Sequence, residues 1–305
     1  MVKRLKDIGF GLSSTKNVKR FITEDGRFNI DHVNKKSMFQ STYSYLIRIT
    51  WIAFFGYVLL AYILVNTLFA VAYVGLGMEA ISTYHSPSFF ENFFNAFLFS
   101  SQTITTVGYG VLSPSGTAAG ILASFEALVG LLSFSFTTGL LYGRFSKPKT
   151  LISFSRNFLI RPFENKSALM IKVMNTSRNI LIKPKVDVTL ILHKSENGYY
   201  KPEYFNLNLE RKTIIYLPTT WTIVHVIDEE SPLYNLSKSE IADLKAELVV
   251  LFSYYDDAFN NEIYDVKSYV HEDLKMNKKY TKSYGYGEDG KLMVDHSMID
   301  DLEKL

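Results

Sequence analysis

SFFENFFNAFLFSSQTITTVGYG, Ser88 to Gly110, decides how this chain is read. Its first part, Ser88 to Ile104, has apolar residues at helical spacing over only 17 residues. That length suits a re-entrant helix rather than a full bilayer crossing, which needs about 20 residues. It runs directly into Thr105-Thr106-Val107-Gly108-Tyr109-Gly110. On the N-terminal side, Ile49 to Met78 is thirty residues without a charge, and Trp51 to Val74 is long enough to span with some tilt. On the other side, Val111 to Tyr142 carries one charge, Glu126, and reads as a second span from Thr117 to Tyr142. The first stretch begins too far into the chain, and is too long, for a signal peptide. A membrane protein is expected, which the ordinary 47% hydrophobic content conceals.

The charges give an orientation. Residues 1–48 hold ten Lys/Arg and four acids; 75–116 hold no Lys/Arg and two acids, Glu79 and Glu91; 144–166 hold six Lys/Arg and one acid. Cytoplasmic flanks collect Lys/Arg. Both termini are therefore expected in the cytoplasm, with 75–116 facing out. Met38 to Trp51 mixes aromatic and aliphatic residues with Ser, Thr and Arg48, as an amphipathic helix at the inner interface does; a simple extension of the first span is the alternative.

Thr106 to Tyr109 fit a dehydrated potassium ion. If four chains surround one axis, the carbonyls of Thr106, Val107, Gly108 and Tyr109 form successive oxygen rings, and the Thr106 hydroxyl adds the innermost one. Gly108 and Gly110 permit left-handed backbone, so successive carbonyls can all point inward. Val107 and Tyr109 are then expected to pack outward against the re-entrant helix. Irregular backbone at this depth is tolerated only where it is buried or lines an aqueous path.

After Arg144 the pattern changes to short β-branched and aromatic runs: Ala168–Asn175, Lys185–Leu192, Tyr204–Leu209, Thr213–Leu217, Thr222–Val226, Glu247–Tyr254 and Glu262–Val270. Asn197-Gly198 reads as a hairpin turn. Such strands predict a β-sandwich. One helix is expected at Ser237–Leu244, where Ser237 and Glu240 form a capping box.

These residues resemble the inward-rectifier potassium channels, most closely their prokaryotic members, over roughly residues 35–275. Beyond the filter the resemblance rests on GLLYGRFSKPK (Gly139–Lys149), Phe154-Ser155-Arg156, Ile160-Arg161-Pro162-Phe163 and WTIVHVIDEESPL (Trp221–Leu233). It implies a homotetramer: in each subunit two transmembrane helices, a re-entrant pore helix and a filter, with an all-β immunoglobulin-like cytoplasmic sandwich. The domains expected are 1–46, a cytoplasmic N-terminus with an interfacial helix; 47–145, the pore; 146–278, the sandwich; and 279–305, a tail. The setting implied is the plasma membrane, as a prokaryotic inner-membrane protein. The permeant ligand implied is K+, bound at Thr106, Val107, Gly108 and Tyr109 with Gly110 closing the filter; no cofactor is expected.

Phe134, Thr138 and Tyr142 are four apart and share a helix face. That spacing serves helix packing equally well; the resemblance implies that they line the pore, with Tyr142 and its neighbour Leu141 at a gate. Gly130 and Gly139 are bend points or close-packing positions. Arg48, Arg144, Lys147 and Lys149 lie just inside the membrane, either as ordinary topology signals or, as the resemblance implies, as sites for anionic lipid. Glu126 is a functional candidate or a partner for Ser/Thr groups behind the pore helix. Mg2+ and polyamines are the implied pore blockers. Strong block in the family needs an inner-helix acid where this chain has Phe134, so weak rectification is expected. The family usually has Glu at Gln102 and, in eukaryotic members, a basic partner where this chain has Leu112, so a charged brace behind the filter is absent.

The remaining composition excludes other classes. Across 305 residues, 33 Lys+Arg against 30 Asp+Glu leaves +3, no argument for nucleic acid. With no cysteine there is no disulfide framework, Cys-ligated metal or thiol nucleophile. No paired acid or nucleophile–base set supports an enzyme. His225 reads as structural, and Asp228-Glu229-Glu230 as a solvated turn or a divalent-ion cluster.

Overall fold

The computed structural model describes residues 3–5, 9, 14–23, 26, 28–31, 33, 38–81, 88–146, 150–257 and 259–305. Two compact units emerge: Asn34–Lys147, and Met1–Val33 together with Pro148–Leu305.

The first unit is helical. α1 (Met38–Arg48) is a separate helix from α2 (Trp51–Leu76). Between them Thr50 caps α2, its hydroxyl accepting from the Ala53 amide at 3.3 Å. α3 (Phe89–Ile104) and α4 (Gly116–Phe145) follow. At 1.5 Å per residue, α2 and α4 reach about 39 and 45 Å and α3 about 24 Å. Only the two longer helices exceed a hydrocarbon core of about 30 Å. Their most apolar windows are each only 17% buried within the chain. Helices this apolar and this exposed belong in lipid or against further copies, not in a soluble core.

The second unit is the expected sandwich. One sheet runs in the order β1 (Lys3–Leu5), β6 (Tyr199–Asn206), β5 (Leu181–Glu196), β9 (Glu247–Asp256), β10 (Asn261–Val270), with β7 (Tyr216–Leu217) beside β5. The other runs β11 (Leu274–Met276), β3 (Phe158–Phe163), β4 (Lys166–Asn175), β2 (Ile152–Phe154), with β8 (Thr220–Ile227) beside β4. Alternate residues Val186, Val188, Leu190 and Leu192 of β5 meet Leu169, Ile171 and Val173 of β4 in one core, as the period of two requires. The Asn197-Gly198 turn joins β5 to β6, both residues at positive φ. α5 (Lys238–Asp243) starts with the Ser237–Glu240 capping box.

One strand is shorter than its sequence predicts. Thr213–Leu217 forms ladder only at Tyr216–Leu217. Its partner β5 is interrupted at Lys183 (φ 47°) and Pro184, where the register with β9 also shifts. Proline has no N–H to give a ladder, so Ile214 only reaches the Pro184 carbonyl at 3.2 Å.

The described residues before Asn34 fold with the β unit. β1 pairs with β6, and Thr15 bridges Tyr200. The Phe21 amide donates to both Glu247 oxygens at 3.1 and 3.2 Å. Ile22 is buried, and Phe21 stacks on His193 with ring centroids 6.1 Å apart. Residues 279–305 also fold onto the sandwich. β12 (Lys278–Tyr280) pairs with β15 (Leu302–Lys304), and β13 (Tyr284–Tyr286) with β14 (Leu292–Val294). The buried Lys172 ammonium donates to the Thr281 and Met298 carbonyls at 2.9 and 3.1 Å and to Ser283 Oγ. Gly285, Gly287 and Gly290 have the spacing of a dinucleotide-binding turn, but they sit in the β13–β14 hairpin and no helix follows.

Candidate functional site

The segment 105–110 begins where α3 ends. The Thr105 amide donates to Ser101 O at 3.3 Å, and the Thr106 amide to Thr103 O at 3.0 Å. Val107 and Gly108 both donate to Gln102 O, at 3.0 and 3.3 Å. Thr106, Gly108 and Gly110 are left-handed, with φ of 59°, 51° and 84°. The glycines take this conformation freely. Thr106 pays roughly 1–2 kcal/mol for it, an outlier for a β-branched residue that spacing alone does not reveal. The C-terminus of α3 ends here, so its partial negative charge lies beside the left-handed backbone.

Val107 and Tyr109 are 53% and 76% exposed. They were expected to pack against the re-entrant helix; in a single chain that packing is not supplied. Beyond Gly110, Leu112 is partly buried against the cluster of Ala70, Tyr73, Ile81, Ala96 and Phe99. Ile81 bridges Pro114, and the Ser115 amide donates to Ala80 O at 2.8 Å.

Behind α3, Glu126 is buried. It accepts from the Tyr73 hydroxyl at 2.8 Å and from Ser100 Oγ. Ser100 also reaches Asn66 Oδ1 at 2.9 Å, so one network ties α2, α3 and α4. The serine partner agrees with the sequence reading; Tyr73 and Asn66 were missed, because nothing in their local pattern marks them. Gln102 Oε1 is buried with no hydrogen-bond partner among the described residues.

On α4, Phe134 (73% exposed), Thr138 and Tyr142 (75%) lie open. Leu141 is partly buried, between buried Leu140 and partly buried Arg144 along α4. Arg144 is heavily engaged. Its Nη1 and Nη2 donate to Leu46 O at 2.6 Å and Ile49 O at 2.8 Å, carbonyls at and just beyond the end of α1. Its guanidinium also covers the rings of Trp51 and Phe54 at 4.5 and 4.7 Å. Such orphan carbonyls favour a cation. Arg48 is exposed; Lys147 and Lys149 lie outside the described residues.

In the β unit, His225 is held by Asn208 O at 2.7 Å and Ser231 Oγ at 2.8 Å, and burial pushes its pKa down. Both of its ring nitrogens are occupied inside the fold. Asp228 sits 3.8 Å from Lys166 and accepts from the Glu230 amide at 3.2 Å. Among the described residues no three His, Cys, Asp or Glu are grouped to hold a metal.

A family model described as the inward rectifier potassium channel C-terminal domain matches residues 152–305, and one described as ion channel matches 57–147. The chain is 28% identical over 288 residues to "Inward rectifier potassium channel Kirbac3.1" of Paramagnetospirillum magnetotacticum, covering 93% of this chain and 96% of that one. It is 24% identical over 311 residues to "G protein-activated inward rectifier potassium channel 2" of Rattus norvegicus, covering 92% of this chain and 71% of that one.

Proposed function

Because the chain belongs to the inward rectifier potassium channel family, we propose that it conducts K+ passively through a homotetrameric pore. The observation that carries this is the left-handed backbone at Thr106, Gly108 and Gly110, at the end of a helix too short to cross a bilayer. Each subunit supplies a quarter of every carbonyl ring from Thr106, Val107, Gly108 and Tyr109, with Gly110 turning the chain out of the filter. Fourfold closure also covers the open faces of Val107, Tyr109 and α4.

The pore closes near the cytoplasmic side, where four copies of Tyr142 and Leu141 make an apolar constriction that dewets. Phe134 and Thr138 line the cavity above it. Arg48, Lys147 and Lys149 attract anionic lipid, each worth about 1 kcal/mol at a charged leaflet; Arg144 joins them while engaged with the end of α1. Block by internal Mg2+ or polyamines is weak, because Phe134 offers cation–π attraction of only about 0.5–2 kcal/mol and no net charge. Both termini are cytoplasmic, in the plasma membrane of a prokaryote.

The test is the reversal potential of purified protein in a planar bilayer under opposed K+ and Na+ gradients. A value near the K+ equilibrium potential is expected; equal permeabilities overturn the reading. A non-selective cation pore is the second reading, and the unpartnered Gln102 Oε1 is the observation that favours it.

A further inference from the structure

The inner end of the segment 105–110 is held by carbonyls at the end of α3: Ser101 O, Gln102 O and Thr103 O all accept from it. Those bonds stop at Gly108. Tyr109, Gly110 and Val111 are exposed within the single chain, so the restraint that the subunit itself offers the outer end comes from beyond them. The first side chain past Gly110 to enter an apolar cluster is Leu112.

Its seat is itself fixed. Tyr73 and Phe99 stand edge to face, centroids 4.9 Å apart and planes at 71°. The Tyr73 hydroxyl is tied to Glu126 at 2.8 Å, so the ring cannot slide along α2 without breaking a buried bond. Ile81, in the same cluster, bridges Pro114 through backbone. Leu112 therefore enters a socket built from α2, α3 and Ile81, each held by contacts of its own. It lies two positions beyond Gly110, a reach of at most about 7 Å. A shift of the side chain in its socket is passed to the last filter carbonyls with little slack.

We infer that Leu112 is a positioning residue for the outer end of the filter, an apolar anchor in the Tyr73–Phe99 socket that holds the carbonyls beyond Gly108 at ion-selecting spacing. The inference rests on the reading of 106–110 as a K+ filter and deepens it.

The full chain in planar bilayers tests this through the K+/Na+ permeability ratio of wild type, Leu112→Ala and Leu112→Met, with mass in detergent and thermal melting checking assembly. Leu112→Ala empties the socket and is expected to lower the ratio about tenfold, equivalent to about 1.4 kcal/mol of lost discrimination. Leu112→Met refills it with nearly equal volume and should hold the ratio within about twofold of wild type. An assembled Leu112→Ala channel with an unchanged ratio overturns the inference, as does a Met variant that loses selectivity as fully as Ala. If Leu112→Ala does not assemble, Ile81→Ala loosens the socket from its other side; a lowered ratio supports the anchor and an unchanged one overturns it. A wild-type channel that does not distinguish K+ from Na+ fails earlier, overturning the K+ reading and the inference with it.

Discussion

Gly130 of α4 meets Ile104, at the end of α3, so closely that an added Cβ would lie 2.1 Å from the Ile104 carbonyl oxygen. Of the two roles open to this glycine from sequence, bend or close packing, the second is the one it fills. Together with Glu126 one turn earlier, it docks the N-terminal half of α4 on α3.

Gly130→Ala is accordingly expected to do more harm than a helix-favouring substitution should. Overpacking costs about 1–3 kcal/mol, and the obstacle here is backbone that cannot swing aside. Lost tetramer or lost flux is expected. Gly139→Ala, with nothing within 4 Å in the chain, should leave the single chain's fold intact. Equal behaviour of the two variants in melting experiments would show that the contact is not limiting.

Arg144→Lys should release α1. Lysine reaches one carbonyl at a time and cannot lie flat on Trp51. Hydrogen bonds from charged donors contribute about 1.5–3 kcal/mol net, so exchange at the Ile49 amide, which bonds Tyr45 O at 3.1 Å, should quicken by at least tenfold. Unchanged protection there would mean that Arg144 does not hold the α1–α2 junction.

Stability of the β unit should depend on pH through Glu247. Burial is the largest influence on its carboxyl and raises its pKa, against the lowering effect of Ser268, the Phe21 and Ile22 amides and Arg20. A carboxyl raised in the folded state contributes stability that is complete below its unfolded value and is lost as pH rises through the raised one. The denaturant midpoint of the β unit should therefore fall as pH climbs from 4.5 through that window. Glu247→Gln should flatten the profile, and a variant that keeps the wild-type slope assigns the effect to another group.

Lys172→Met is expected to loosen residues 281–298. The substitution keeps an apolar stem but leaves the Thr281 and Met298 carbonyls without their donor, at about 1–3 kcal/mol for unpaired buried groups. Faster exchange across β13 and β14, with β5 and β9 unaffected, is the expected result. A uniform loss across both sheets would show that Lys172 supports the whole sandwich.

Much of this molecule was legible without coordinates. The two spans follow from long apolar runs with one ionisable residue between them, Glu126, because hydrocarbon admits few charges. The Ser237–Glu240 cap and the Asn197-Gly198 turn are local chemistry, written within a few residues, and both formed as read. Gly108 and Gly110 announced left-handed backbone through the residue type that tolerates it. Ser100 as partner to Glu126 was reachable, since a buried acid behind a serine-bearing helix has few other donors.

Other features depended on where distant segments come to rest. Arg144 and Leu46 are 98 positions apart, and Phe21 and Glu247 226. No periodicity or composition records that their atoms will lie about 3 Å from one another. Arg144 looked like any basic residue below a membrane span until the carbonyls beside it were known. Leu112 looked only like the lack of a charge. A sequence determines which groups need burial, lipid or a special backbone angle, because those needs belong to single residues and their neighbours. Which socket receives Leu112, and which carbonyls receive Arg144, only the packed helices decide, because a partner is a matter of distance in three dimensions.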